Sequence, residues 1–416
     1  MEREAAGSNL LLKAAKACVA VAGLSIALLG LLGGVLYFVL PLVYRKGETD
    51  FLQISIVGTA FIVLGLGLGL PLGWQGLSSL LGRPSRPFRP RPMGLLLALF
   101  VLSVAVGQIV LATGFLTPLV FPPFHVLGTA LPPLIVTAFV GRRLASAAVP
   151  VHWREVVLQT GSGAFLATFL AFGLEAIFGL FTLFAALLAV ALTPNGMAWL
   201  QELTANMQDP SWLADPVNLS QVLLYPPIAI TLVLIFVVIA PLGEELFKSL
   251  GVALMSYRRP GAAQAFLWGV AGGAGFAIAE GLFNAAIALE SWSAVVLLRV
   301  GSTLMHCLSS GLMGLGWYYL LRTRRPWHIL GTYAASVGLH ILWNVGAIGM
   351  AAISLGAMAS GTDEASLALS GLGVLVLAAY LILLALFMAF AIYYLTGKGR
   401  NAYESKKKGV IKTNHD

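Results

Sequence analysis

The sequence predicts an all-α polytopic membrane protein, a bundle of about ten transmembrane helices with both termini in the cytoplasm. Three observations predict it. Of the 416 residues, 59% are hydrophobic and only 10% charged, whereas soluble domains are about 25% charged. The apolar runs exceed the roughly 20 residues that cross a ~30 Å hydrocarbon core, and they lack the alternation and ~10-residue period of outer-membrane strands. Basic residues gather in the short segments between alternate runs, as in cytoplasmic loops. The formal charge of +8 therefore reports orientation in a lipid bilayer, and no nucleic-acid partner is expected.

In chain order, the first span covers 15–42, preceded by Arg3, Lys13 and Lys16 and closed by Arg45 and Lys46. It is too long for a signal-peptide core and reads as an uncleaved helix. The second, 51–72, leads into the Pro/Arg linker 83–92, Arg-Pro-Ser-Arg-Pro-Phe-Arg-Pro-Arg-Pro. Its prolines exclude a helix, and it reads as a solvated loop against the headgroups. Spans at 93–115 and 124–140 end at Arg142, Arg143 and Arg154 and complete an N-terminal unit, 1–155. The stretch 156–192 is too long for one straight helix, yet no basic residue marks a second loop. It is taken as one long or broken span carrying Glu175, followed by an acidic extracytoplasmic loop; together they form a unit 156–222.

Five further spans, 223–258, 262–289, 293–321, 327–357 and 367–394, make a second bundle, 223–396, before a basic cytoplasmic tail, 397–416. Asp363 and Glu364 fall in an outer loop. With this topology only Arg45, Lys46, Lys248 and Arg299, of 25 Lys and Arg residues, lie outside the cytoplasmic segments. Trp74, Trp153, Trp199, Trp212, Trp292 and Trp327 sit near span ends, where interfacial anchors belong. His125, His152, His328 and His415 lie in or beside loops and read as solvent-facing. The two cysteines, Cys18 and Cys307, are both in apolar runs, so neither a disulfide framework nor a thiolate metal site is expected.

One stretch resists this apolar reading. Pro241-Leu-Gly-Glu-Glu-Leu-Phe-Lys248 places Glu244, Glu245 and Lys248 inside a span, where each charge costs roughly 2.5–3.5 kcal/mol on insertion scales. Glu280, His306, His340 and Asn344 are polar groups in the three spans that follow. At ~1.5 Å per residue, Glu244 and His340 both lie about 21 Å from the basic or proline residue ending their spans, His306 about 24 Å, and Glu280 and Asn344 about 27 Å. Four helices thus deliver polar groups to one layer, which scattered structural residues would not do.

Spacing refines the picture. His340 and Asn344 share a helix face, and Lys248 reaches Glu244 at i+4 or Glu245 at i+3. Adjacent carboxylates diverge by about 100° around a helix, so one faces a substrate while the other is held. Pro241 and Gly243 loosen the helix, and Gly269, Gly272, Gly273 and Gly275 permit close helix approach beside the site. Arg299, near the outer end of its span, reads as a snorkelling structural residue, and Glu175 has no visible partner.

The pattern Glu244-Glu245-x-x-Lys248, Phe276-x-x-x-Glu280, Arg299 with His306, and His340-x-x-x-Asn344 resembles the PrsW family of intramembrane proteases. That family is similar to the wider group of CAAX prenyl endopeptidases and bacteriocin-processing membrane proteases, whose second motif ends in histidine where this chain has Glu280. The family often has asparagine after that glutamate; here it is Gly281. The resemblance spans roughly 223–394 and leaves the first five spans outside.

It implies hydrolysis of a peptide bond in a membrane-protein substrate, in a multi-pass protein of a prokaryotic plasma membrane. In bacteria this branch is associated with site-1 cleavage of anti-sigma factors. On that reading Glu244 is general base to a water, and Glu245 and Lys248 orient it. His340 and Asn344 donate to the tetrahedral oxyanion, while Glu280 and His306 complete the polar shell, supported by Arg299. No cofactor is required by this scheme. Zinc is the alternative, with Glu244, His306 and His340 as ligands, although no H-E-x-x-H helix is present. Two other readings stand beside the protease. A proton- or ion-coupled transporter would also gather carboxylates and histidines at mid-depth, but no internal repeat is evident. The third is a non-catalytic membrane scaffold.

Overall fold

A computed structural model describes residues 2–43, 50–147, 149–209, 212, 215–286, 289–359 and 364–413; Arg45, Lys46, Asp363 and His415 lie outside the described residues. Among the described residues, ten helices are long and apolar enough to cross a membrane. They are α1 (Leu10–Leu40), α2 (Phe51–Leu80), α3 (Met93–Thr113), α4 (Thr117–Ala145), α5 (Trp153–Ala191), α6 (Pro226–Leu254), α7 (Ala262–Asn284), α8 (Leu289–Thr323), α9 (Pro326–Met358) and α10 (Glu364–Ser405). The stretch between α5 and α6, expected as a loop, contains two short helices among its described residues, Gly196–Asn206 and Pro216–Leu223.

The bundle is organised around α7. Its Ala- and Gly-rich sequence has no polar face, and it is buried from Ala263 to Leu282 apart from Gln264 and Glu280. Helices α4, α5 and α8 pack around it. Three spans carry π-helical turns, at Gly65–Gly69, Ser162–Ala167 and Leu234–Ile239. The last precedes Pro241, which has no N–H to give and whose ring crowds the carbonyl four residues back. A widened turn relieves that conflict and leaves backbone oxygens for other partners. The span is therefore loosened upstream of Pro241 instead of broken at it.

Three surface assignments are overturned. His125 is fully buried, because α4 begins at Thr117, with a proline in the first turn where no N–H is needed, and so runs two turns deeper than the expected start. His125 Nε2 donates to the Leu282 carbonyl at 2.9 Å, and Nδ1 accepts from Trp292 Nε1 at 3.1 Å. Trp292 is accordingly not an interfacial anchor but a fully buried ring, edge-on to Phe121 at 4.9 Å. His125→Ala strands the buried indole N–H and is expected to cost about 1–2 kcal/mol, seen as a lowered unfolding midpoint in detergent; an unchanged midpoint would deny the bond any weight.

The Pro/Arg linker is not simply solvated. Its arginines are exposed but Phe88 is buried at 4%, edge-on to Trp153 at 4.5 Å. The Phe88 N–H donates to the Val151 carbonyl at 2.8 Å, and Arg154 Nη2 donates to the Arg83 carbonyl at 2.7 Å. The linker is stitched to the chain leading into α5.

Candidate active centre

Helix α6 supplies the first three groups. After its π turn, the segment Ala240–Phe247 presents Glu244 and Glu245, and the Lys248 N–H closes it on the Glu244 carbonyl at 2.9 Å. The Lys248 ammonium is completely buried. It lies 2.7 Å from Glu244 Oε2, 2.8 Å from Glu245 Oε1 and 2.7 Å from His306 Nδ1, over the Phe276 ring at 4.3 Å. The divergence of the two carboxylates is realised: Glu245 is fully buried behind the centre, while Glu244 lines a cavity of ≈ 520 Å³ formed by α5 to α9.

The hydrogen-bond chemistry assigns the histidine tautomers. An ammonium only donates, so His306 Nδ1 accepts and the proton is on Nε2, which lies 2.8 Å from Glu280 Oε2. A carboxylate only accepts, so His340 Nδ1–H donates to Glu245 Oε1 at 2.8 Å. His340 Nε2 is left with a lone pair, 3.9 Å from Glu244 Oε2. The two imidazoles meet edge to face at 5.3 Å.

Glu280 is clamped from several sides. Arg299 Nη1 donates to Oε1 at 3.0 Å and its Nη2 lies 3.0 Å from Oε2, and Asn284 Nδ2 donates to Oε1 at 3.0 Å. Arg299 is thus not a snorkelling residue: the fork of its guanidinium matches the carboxylate two-point and turns inward, where it lines the cavity. Asn284 escaped sequence reasoning, though its position one turn after Glu280 was a usable signal; it places an amide beside Glu280 in a chain that has Gly281 next to that glutamate. Asn344 Nδ2 donates to the Phe236 carbonyl, 2.8 Å away in the π turn of α6, leaving its second N–H. Glu175, for which the sequence suggested no partner, lines the same cavity from α5.

The glycines of α7 make this convergence physically possible. A Cβ on Gly273 would run into the His306 carbonyl, and one on Gly272 would lie 2.8 Å from the Lys248 carbonyl. Helices α6 and α8 therefore approach α7 at backbone contact, which brings Lys248 and His306 together.

An integral multi-pass membrane protein whose helices enclose a carboxylate–imidazole–lysine centre beside a cavity is the class that fold and site define. Within it, the chain belongs to the PrsW family of intramembrane proteases: the pattern described as PrsW family intramembrane metalloprotease matches residues 151–384. No curated protein and no solved structure matches it. The match opens one span earlier than the sequence motifs do and takes in α5, the helix that packs on α7 and carries Glu175.

The family description implies a metal. Glu244, Glu245, His306 and His340 each offer a ligand atom, all within 4.8 Å of one another, and two carboxylates with two imidazoles form a zinc-type donor set. The arrangement nevertheless does not fit a metal. Three of these residues already place a donor atom 2.7–2.8 Å from Lys248 Nζ, and zinc bound by those atoms would need them at about 2.0–2.2 Å. Two cations cannot share that space.

Proposed function

We propose that this protein hydrolyses a peptide bond of a membrane-protein substrate held in the cavity between α5 and α9, with Glu244 as general base. The observation that carries the reading is Glu244 itself. Of the adjacent pair Glu244 and Glu245 it is the carboxylate that lines the cavity, and unlike Glu280, which Arg299 clamps, it is paired with Lys248 on one side and faces the lone pair of His340 Nε2 on the other. A cavity of ≈ 520 Å³ falls in the range that holds a small ligand or a short peptide segment.

In this mechanism a water donates one hydrogen to Glu244 and the other to His340 Nε2, both within its reach. Its oxygen attacks the carbonyl carbon as Glu244 takes the proton. The second N–H of Asn344 receives the oxyanion, an interaction of the kind worth about 2.7–4 kcal/mol. Collapse breaks the C–N bond, and the proton passes to the leaving nitrogen. His340 serves differently from the sequence expectation: its Nδ1–H is spent on Glu245, so it orients the water before it donates anything. Glu280, hydrogen-bonded by Arg299 and Asn284 and 2.8 Å from His306 Nε2, acts as a fixed anion beside His306.

Family membership supports a substrate of the anti-sigma type in a prokaryotic plasma membrane, and the basic residues between alternate spans support both termini in the cytoplasm. The test compares the N-termini of membrane proteins, by mass spectrometry, in cells expressing wild type or Glu244→Gln. New N-termini are expected with the wild type alone. Identical profiles from two folded, abundant proteins would refute the general-base assignment and favour a transporter or scaffold.

A further inference from the structure

We infer that Lys248 is the resident cation of this centre, its ammonium holding the place among the donors that a catalytic metal would take. Resting on the reading of the centre as hydrolytic, the inference adds the source of its positive charge.

The ammonium hydrogen-bonds Glu245 Oε1 at 2.8 Å and His306 Nδ1 at 2.7 Å and is ion-paired with Glu244 Oε2 at 2.7 Å, so three donor atoms lie around Nζ. The three residues that supply them belong to the group that could hold a metal. They come from α6 and α8, so Nζ joins two helices as a bridging metal does, whereas an ordinary helical counter-ion pairs within its own helix. The face of Phe276, 4.3 Å from Nζ, adds the favourable field of an aromatic ring.

Lys248 is also prevented from withdrawing. Its side chain has no exposed surface, its N–H is bonded to Glu244, and its carbonyl lies against Gly272 of α7. The acceptor role this forces on His306 Nδ1 puts the proton on Nε2, beside Glu280, so the lysine sets the tautomer of one histidine. Through Glu245 Oε1, shared with His340 Nδ1, it also fixes the anion that sets the other. Lys248 is therefore a positioning residue.

The test is made on the full chain purified in detergent without chelators. Metal content is measured by mass spectrometry, and zinc is titrated into wild type and Lys248→Ala, followed by bound zinc after desalting and by thermal unfolding. Wild type is expected to carry far less than one transition metal per chain and to show no zinc-dependent shift. Lys248→Ala, its donors vacated, is expected to take up about one zinc per chain and to gain thermal stability on doing so. A merely structural lysine would not convert the centre into a zinc site. About one metal per wild-type chain, lost in His306→Ala, would overturn the inference, as would a folded Lys248→Ala that takes up no zinc. Should Lys248→Ala fail to fold, the wild-type metal content decides. That content is independent of the N-terminus comparison, so failure here is distinguishable from failure of the protease reading.

Discussion

Cleavage of a membrane-spanning substrate is expected to fall about 10²–10⁴-fold on Glu244→Gln, the usual loss when a positioned general base is removed. His340→Ala is expected to cost a comparable factor, and the double variant little more than either alone. The reason lies in the geometry. Glu244 Oε2 and His340 Nε2 are 3.9 Å apart and are proposed to hold one water between them, so removing either leaves the nucleophile unoriented. Residues acting as a unit give such non-additive losses. Rates measured in reconstituted vesicles, on a substrate found by the N-terminus comparison, form the cycle. Losses that multiply would mean the two side chains act independently and would sink the shared-water arrangement.

The second large effect is structural and lies outside the polar groups. Gly273→Val is expected to destabilise the protein by about 3 kcal/mol, the upper end of overpacking costs, because the obstructing group is backbone. The new Cβ would press on the His306 carbonyl and lie 2.9 Å from Ser310 Oγ. Helix α8 would have to move off α7, drawing His306 away from Lys248, so cleavage should fall with stability. Gly331→Ala is the control: its Cβ meets nothing within 4 Å, and alanine favours a helix interior over glycine by about 1 kcal/mol. Unfolding midpoints in detergent decide, and a Gly273→Val protein as stable as wild type would show that α7 and α8 are not in backbone contact.

Both predictions draw on features legible in the sequence to different degrees. The common depth of Glu244, Glu280, His306 and His340 could be counted from span ends, because a helix advances by a constant rise and the span ends are marked by charge. The glycine run of α7 announced a close approach, though not which backbone it meets. Rotation about each helix axis, and the choice of neighbours, could not be counted. Arg299 looked like an interfacial residue until the turn of α8 directed it onto Glu280. Trp292 looked like an anchor and His125 like a loop residue until α4, α7 and α8 closed around them.

The sequence alone determined the helical class, the number and order of the spans, and the layer in which the polar groups lie. Those follow from the bilayer's thickness, the cost of burying charge and a fixed rise per residue, all of which act along a single helix. Tertiary structure alone decided which groups touch: that Lys248 sits among Glu244, Glu245 and His306, and that Glu244 faces the cavity while Glu245 does not. These contacts depend on helix azimuth and packing distance, set jointly by residues far apart in the chain.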